Sequence, residues 1–152
     1  MNDNKDNNRK INKEAVPGIA PEIYPGVMNV VTNNKEGKPT NVAYDCPAFV
    51  DSGSVGWPIQ FISNAGNSGI DYIRFVVSPN TSYPIHGGDD PSIWLCFILF
   101  GYGQLIIADN DKKEISRVDY KAGDFISLQP NCWHGWENGE EPSDIIVIRT
   151  VK

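Results

Sequence analysis

The chain has 152 residues, 40% hydrophobic and 11% aromatic, which is enough apolar material for one domain with a real core. Its net charge of -6 argues against a broad nucleic-acid or anionic-membrane surface, since both need a basic face. Three cysteines, Cys46, Cys96 and Cys132, without CxxC spacing, argue against a disulfide framework or a structural zinc site.

Residues 1–14, MNDNKDNNRKINKE, are too polar to pack and read as a disordered tail. They contain no apolar stretch of the signal-peptide kind, and no later run approaches the roughly 20 apolar residues of a membrane span. The expectation is a soluble cytoplasmic protein with reduced thiols. Residues 15–70 form an N-terminal arm broken by Pro17, Pro21, Pro25, Pro39, Pro47 and Pro58. Short extended pieces are predicted there at 27–32, 41–44 and 59–63, each bounded by turn residues, and no window has helical periodicity.

The core, 71–152, is more regular. Strands are predicted at 71–77, 92–100, 104–109, 114–120, 124–129 and 144–151, all rich in Ile, Val, Phe and Tyr and too short for helices. Turn signals separate them, among them GYG, KAGD and a DNDK hairpin. Strands at this spacing with almost no helix imply an all-β sandwich or barrel.

Two segments carry chemistry. PNTSYPIHGGDDPSIWLCFILFGYGQL holds His86, and GDFISLQPNCWHGWEN holds His134; these are the only two histidines. Together they resemble the two motifs of a cupin. Pro79, His86, Gly101 and Gly103 fall at places of the first motif, with Asn80 where a turn glycine is usual. Gly123, His134 and Asn138 fall at places of the second, with Asn131 for its turn glycine and Gln129 where proline is usual. The resemblance implies a double-stranded β-helix, the jelly-roll barrel, here with an extended N-terminal arm. It covers about 60 residues well and the arm poorly.

Metal-binding members of the family typically use three histidines and a glutamate. Carried over position by position, His86 and His134 remain, the second histidine becomes Gly88 and the glutamate becomes Trp94. Asp89 or Asp90, in a loop with Gly87 and Gly88, would complete a two-histidine-one-carboxylate triad for Fe, Mn, Ni or Zn. The alternative is a solvated turn and a metal-free pocket.

With both histidines inward, strand alternation places Cys132 and Trp136 beside His134, and Trp94, Cys96, Ile98 and Phe100 on one inward face. Such an interior suits a flat or apolar small ligand with one or two polar handles. Trp133 is predicted to point outward, toward an oligomer interface. Tyr83, Arg74 and Asp45 are candidate proton donors or substrate anchors, and Cys96 with His86 or Cys132 with His134 are candidate nucleophile pairs. Two functions compete: an enzyme of oxygenase, isomerase or lyase type using His86 and His134 as metal ligands or acid/base groups, with Tyr83, Trp94, Cys96, Cys132 and Trp136 on the substrate, and a non-catalytic ligand-binding cupin without metal. Dimers are common in the family, so a homodimer is expected, with no nucleic-acid or membrane partner.

Overall fold

The computed structural model describes residues 27–47, 49–51, 58–65 and 68–150. The expected tail at 1–14 lies outside them. Within the described residues strands run in chain order: β1 Val27–Asn33, β2 Pro39–Asp45, β3 Val50–Asp51, β4 Pro58–Ile62, β5 Ile70–Val77 and β6 Ser82–His86 lead into β7 Trp94–Phe100, β8 Tyr102–Ala108, β9 Glu114–Lys121, β10 Phe125–Leu128, β11 His134–Asn138 and β12 Ser143–Thr150. The all-β expectation holds. Every pairing is antiparallel.

The strands form a six-stranded sheet, β10-β7-β12-β5-β4-β3, a four-stranded sheet, β6-β11-β8-β9, and a separate β1-β2 ribbon. The expected barrel is therefore not closed by hydrogen bonds; the fold is a jelly-roll-like arrangement of open sheets. Strands β3 and β4 extend the six-stranded sheet, whereas among the described residues β1 and β2 pair with each other and with no other strand. Among the described residues no helix is long and apolar enough to cross a membrane.

Alternation makes the core. Ile73 and Val77 of β5, Cys96 and Ile98 of β7, and Ile145 and Val147 of β12 are buried with Leu105, Tyr120, Leu128 and Trp136. Each such side chain contributes about 1.5–3 kcal/mol by leaving water. Residues between them face the other way: Arg74, flanked by Ile73 and Phe75, donates through Nε to Asp144 Oδ1 at 2.8 Å. Phe100 breaks the predicted inward set, being 56% exposed. The β7–β12 register shifts between Asp144 and Ile145, next to the pair Asp144–Phe100, so strict alternation fails at that end.

The two motif turns explain their unusual residues. Asn80 and Asn131, at the turn-glycine places, adopt φ of 55° and 60°. Asparagine enters this left-handed region more easily than most side chains. Asn138 then ties the end of β11 into the fold. Its amide donates to Ser78 O at 3.0 Å and Glu141 O at 2.8 Å, and its carbonyl accepts from the buried Tyr120 hydroxyl at 3.0 Å.

Candidate ligand cavity

Both histidines lie on strands outside the predicted set, β6 and β11. These strands are short, and Pro84 and Gly135 dilute their pattern. They pair with His134 opposite His86 and Trp136 opposite Tyr83, so Pro84 and Ile85 together face Gly135. This is a β-bulge. Strict alternation would separate Tyr83 from His86, but the extra residue brings both onto one face, with ring centroids 4.6 Å apart. Proline, which has no N–H to give the ladder, is tolerated at such a bulge.

The His86 and His134 ring centroids are 4.4 Å apart. His86 Nδ1 lies 2.9 Å from Pro84 O, and His134 Nδ1 lies 3.0 Å from Cys132 O. A carbonyl only accepts, so each Nδ1 carries the proton and each neutral ring has its lone pair at Nε2. His134 is 4% exposed, and its Nε2 is buried without a hydrogen-bond partner. Burial pushes its pKa down to about 4, helped by the nearby His86 and opposed by Cys132 O and Asp90. Burial also lowers His86, against the Pro84 and His134 carbonyls and Asp90. Both rings are neutral at neutral pH.

The pair stands beside a cavity of about 380 Å³ enclosed mainly by aliphatic and aromatic side chains. Ile59 and Phe61 come from β4, Ile73, Phe75 and Val77 from β5, and Ile145, Val147 and Arg149 from β12; Tyr83, His86, Trp94 and Trp136 complete the wall. Trp94 and Trp136 meet the His134 ring edge-on at 6.4 and 6.2 Å. Arg149 was not singled out in the sequence, although a lone charge inside DIIVIRTV is a signal. Its guanidinium lies 5.2 Å from the Trp94 ring centre and 5.6 Å from that of Phe61. Nε and Nη2 donate to Asp71 Oδ2 at 3.0 and 2.6 Å.

Of the candidate metal donors, the fold brings His86 and His134 together. Asp90 is near enough to act on both imidazoles, but its oxygens are engaged: Oδ1 accepts from Ser92 N at 2.8 Å and Oδ2 from the Trp94 indole N–H at 3.0 Å. Asp89 is exposed. Among the described residues no three His, Cys, Asp or Glu side chains are grouped to hold a metal ion. The unpartnered His134 Nε2 would suit one coordinate bond, but two imidazoles fall short of the donor set that Fe, Mn or Ni requires. The described residues at this site do not fit the metal.

The fold places the other candidate residues as follows. Cys132 is exposed, its thiol 3.7 Å from Pro130 O, because the chain enters β11 only at His134. Cys96 is buried in the core rather than in the cavity wall, and burial raises its thiol to about 12, which favours the protonated form at neutral pH. Arg74 faces away from the cavity between two lining residues, and Asp45 is exposed on β2. Trp133 is half-buried and packs within the chain. Its indole covers Gly88, where an added Cβ would sit 1.8 Å from the ring, and Lys112 Nζ lies 4.7 Å from the ring centre. The glycine at the second-histidine place thus makes room for this indole. Gly87 has φ of 89°, and a Cβ there would come within 2.7 Å of His134 Cε1.

No family model and no curated protein matches the sequence. Solved structures do match the fold. The cupin domain of Schizosaccharomyces pombe Cnp3 superposes with a TM-score of 0.60 at 9% identity, covering 84% of both chains. Variants of Bacillus subtilis oxalate decarboxylase, an enzyme with Mn(II) centres, superpose with TM-scores of 0.55–0.57 at 12% identity. They match 62–68% of this chain, which spans about a quarter of theirs (25–27%). At these identities the likeness establishes a cupin-type fold.

Proposed function

We propose that this protein is a small-molecule-binding cupin that holds an apolar, ring-sized ligand in the cavity beside His86 and His134 without a metal ion. The observation that carries this reading is the cavity wall, which is dominated by aliphatic and aromatic groups. Ligand sites have this character, with a few polar groups to fix orientation. Tyr83, His86, Trp94 and Trp136 are the contacts we assign to the ligand; Trp94, at the family's glutamate place, supplies an apolar wall instead of a carboxylate. Oxalate, the substrate named for the bacterial decarboxylase, is a poor match for such a wall. Native mass spectrometry of the protein purified without chelators tests the reading. A bound apolar small molecule and no stoichiometric metal is expected; a stoichiometric transition metal would overturn it.

A catalytic version rests on one observation, the neutral His86 ring at the cavity wall. Such a ring can accept a proton from a bound substrate, as in an isomerase or lyase. A bound molecule converted by wild type but not by His86→Gln would favour this version over pure binding.

The same reading has the protein acting as a homodimer. Phe97 and Phe125, paired across β7 and β10 with ring centroids 4.7 Å apart, are 39% and 55% exposed, and Val31 on the ribbon is 74% exposed. Contiguous exposed aromatics of this kind favour burial in an interface. Sedimentation should give a dimer that Phe97→Lys with Phe125→Lys dissociates; a wild-type monomer at all accessible concentrations would refute it.

A further inference from the structure

The polar groups around the cavity differ in what they leave unused. Trp94 has one N–H, and Asp90 already accepts it. Among the described residues that line the cavity, Arg149 is the one permanent cation, and two hydrogen bonds commit it to Asp71. Its Nη1 also lies 4.0 Å from Asp90 Oδ2. One guanidinium thus stands between two carboxylates, and this edge of the site leans negative. An anionic ligand would meet a cation already neutralised, next to apolar walls that penalise any buried charge.

The imidazoles supply the opposite kind of handle. The carbonyls of Pro84 and Cys132 fix both Nδ1 protons, which leaves Nε2 as an acceptor on each neutral ring. His134 Nε2 is buried and unpartnered; His134 stands behind the cavity wall, its ring in contact with the rings of His86, Trp94 and Trp136, which line it. An unmade hydrogen bond in a buried place is costly, and a ligand that makes it recovers that cost.

Building on the reading of the cavity as a ligand site, we propose that it selects an uncharged, flat, apolar molecule carrying a hydrogen-bond donor of the phenol or indole kind, with the His86–His134 imidazole pair as acceptor. The rings of Tyr83, Trp94 and Trp136 pack against the flat body. A neutral donor such as a phenolic O–H reaches the acceptor without placing charge between the sheets. A carboxylate would set its oxygens against a lone pair.

The test uses four probes of one shape, 2-naphthol, naphthalene, 2-naphthoate and a naphthylmethylammonium, titrated at neutral pH by tryptophan fluorescence and calorimetry. The expected order is naphthol tightest, by about tenfold or more over naphthalene, with naphthoate weaker than naphthalene. His86→Leu and His134→Leu, each checked for a cooperative melt, should lose the preference, binding 2-naphthol no tighter than naphthalene. Should His134→Leu fail to fold, His86→Leu with the wild-type probe series still decides the matter. Equal binding of naphthol and naphthalene by wild type, or tightest binding of the carboxylate or the ammonium, would overturn the donor assignment while leaving the cavity a ligand site. Binding of none of the four would overturn the cavity reading itself.

Discussion

Acidification should destabilise this fold well before its carboxylates titrate, with His134 as the main cause. Its pKa is about 4 in the fold against an ordinary 6.5, and the ring is 4% exposed, so solvent screening is slight. The unfolded chain takes up the proton first. Stability from this group is therefore complete above pH 6.5 and is lost as pH falls toward about 4. The full gap is worth about 3 kcal/mol, and the part lost by pH 5 is about 2 kcal/mol. His86, also lowered, adds to the loss in the same direction. Asp71, held low by the Asn64 amide and Arg149 in spite of burial, adds its share only below its ordinary 3.8. Urea unfolding at pH 7 and pH 5 reads this out. With a slope of about 1–3 kcal/mol per M, the midpoint should fall by roughly 1 M. His134→Gln should keep only the His86 part of that fall. A midpoint that does not move in wild type, or moves equally in His134→Gln, would refute the buried neutral imidazole.

Three further outcomes are expected. Asn138→Ala strands the buried Tyr120 hydroxyl and two carbonyls, so chemical denaturation should show a loss of about 2–4 kcal/mol. Gly88→Ala drives a Cβ into the Trp133 indole and should lower the melting temperature, whereas adding Trp133→Ala should restore most of the loss; no rescue would mean that Trp133 does not fix the need for glycine. Trp94→Glu places a third donor near the imidazoles and frees Asp90, so elemental analysis after loading with Ni or Mn should show metal in the variant and none at stoichiometry in wild type.

Strands β7 and β12 were legible because burial alternates along them, and β5, buried on both faces, because its Ile, Val and Phe run has no competing signal. The motif turns were legible too, since Asn80 and Asn131 take the backbone that the missing glycines would have taken. The site was less so. The bulge opposite Gly135 sets Tyr83 beside His86, and no periodicity announces a one-residue slip. Whether Asp90 joins the histidines depends on an indole four residues away that holds the carboxylate, a tertiary choice absent from the DDP turn itself. Cys132 shows the limit of alternation: it stands two residues before His134, but outside the strand, so its face does not follow. Phe61, Phe75 and Arg149 reach the cavity through sheet pairing across long sequence separations.

Filling the cavity without touching a polar group tests the central claim most directly. Val147 lies on β12 with its side chain in the cavity wall, and Val147→Phe would project a ring into the space. Calorimetry with 2-naphthol should show binding to wild type and none to Val147→Phe, with the variant still melting cooperatively. No binding to wild type, or equal binding to a folded Val147→Phe, would contradict the account.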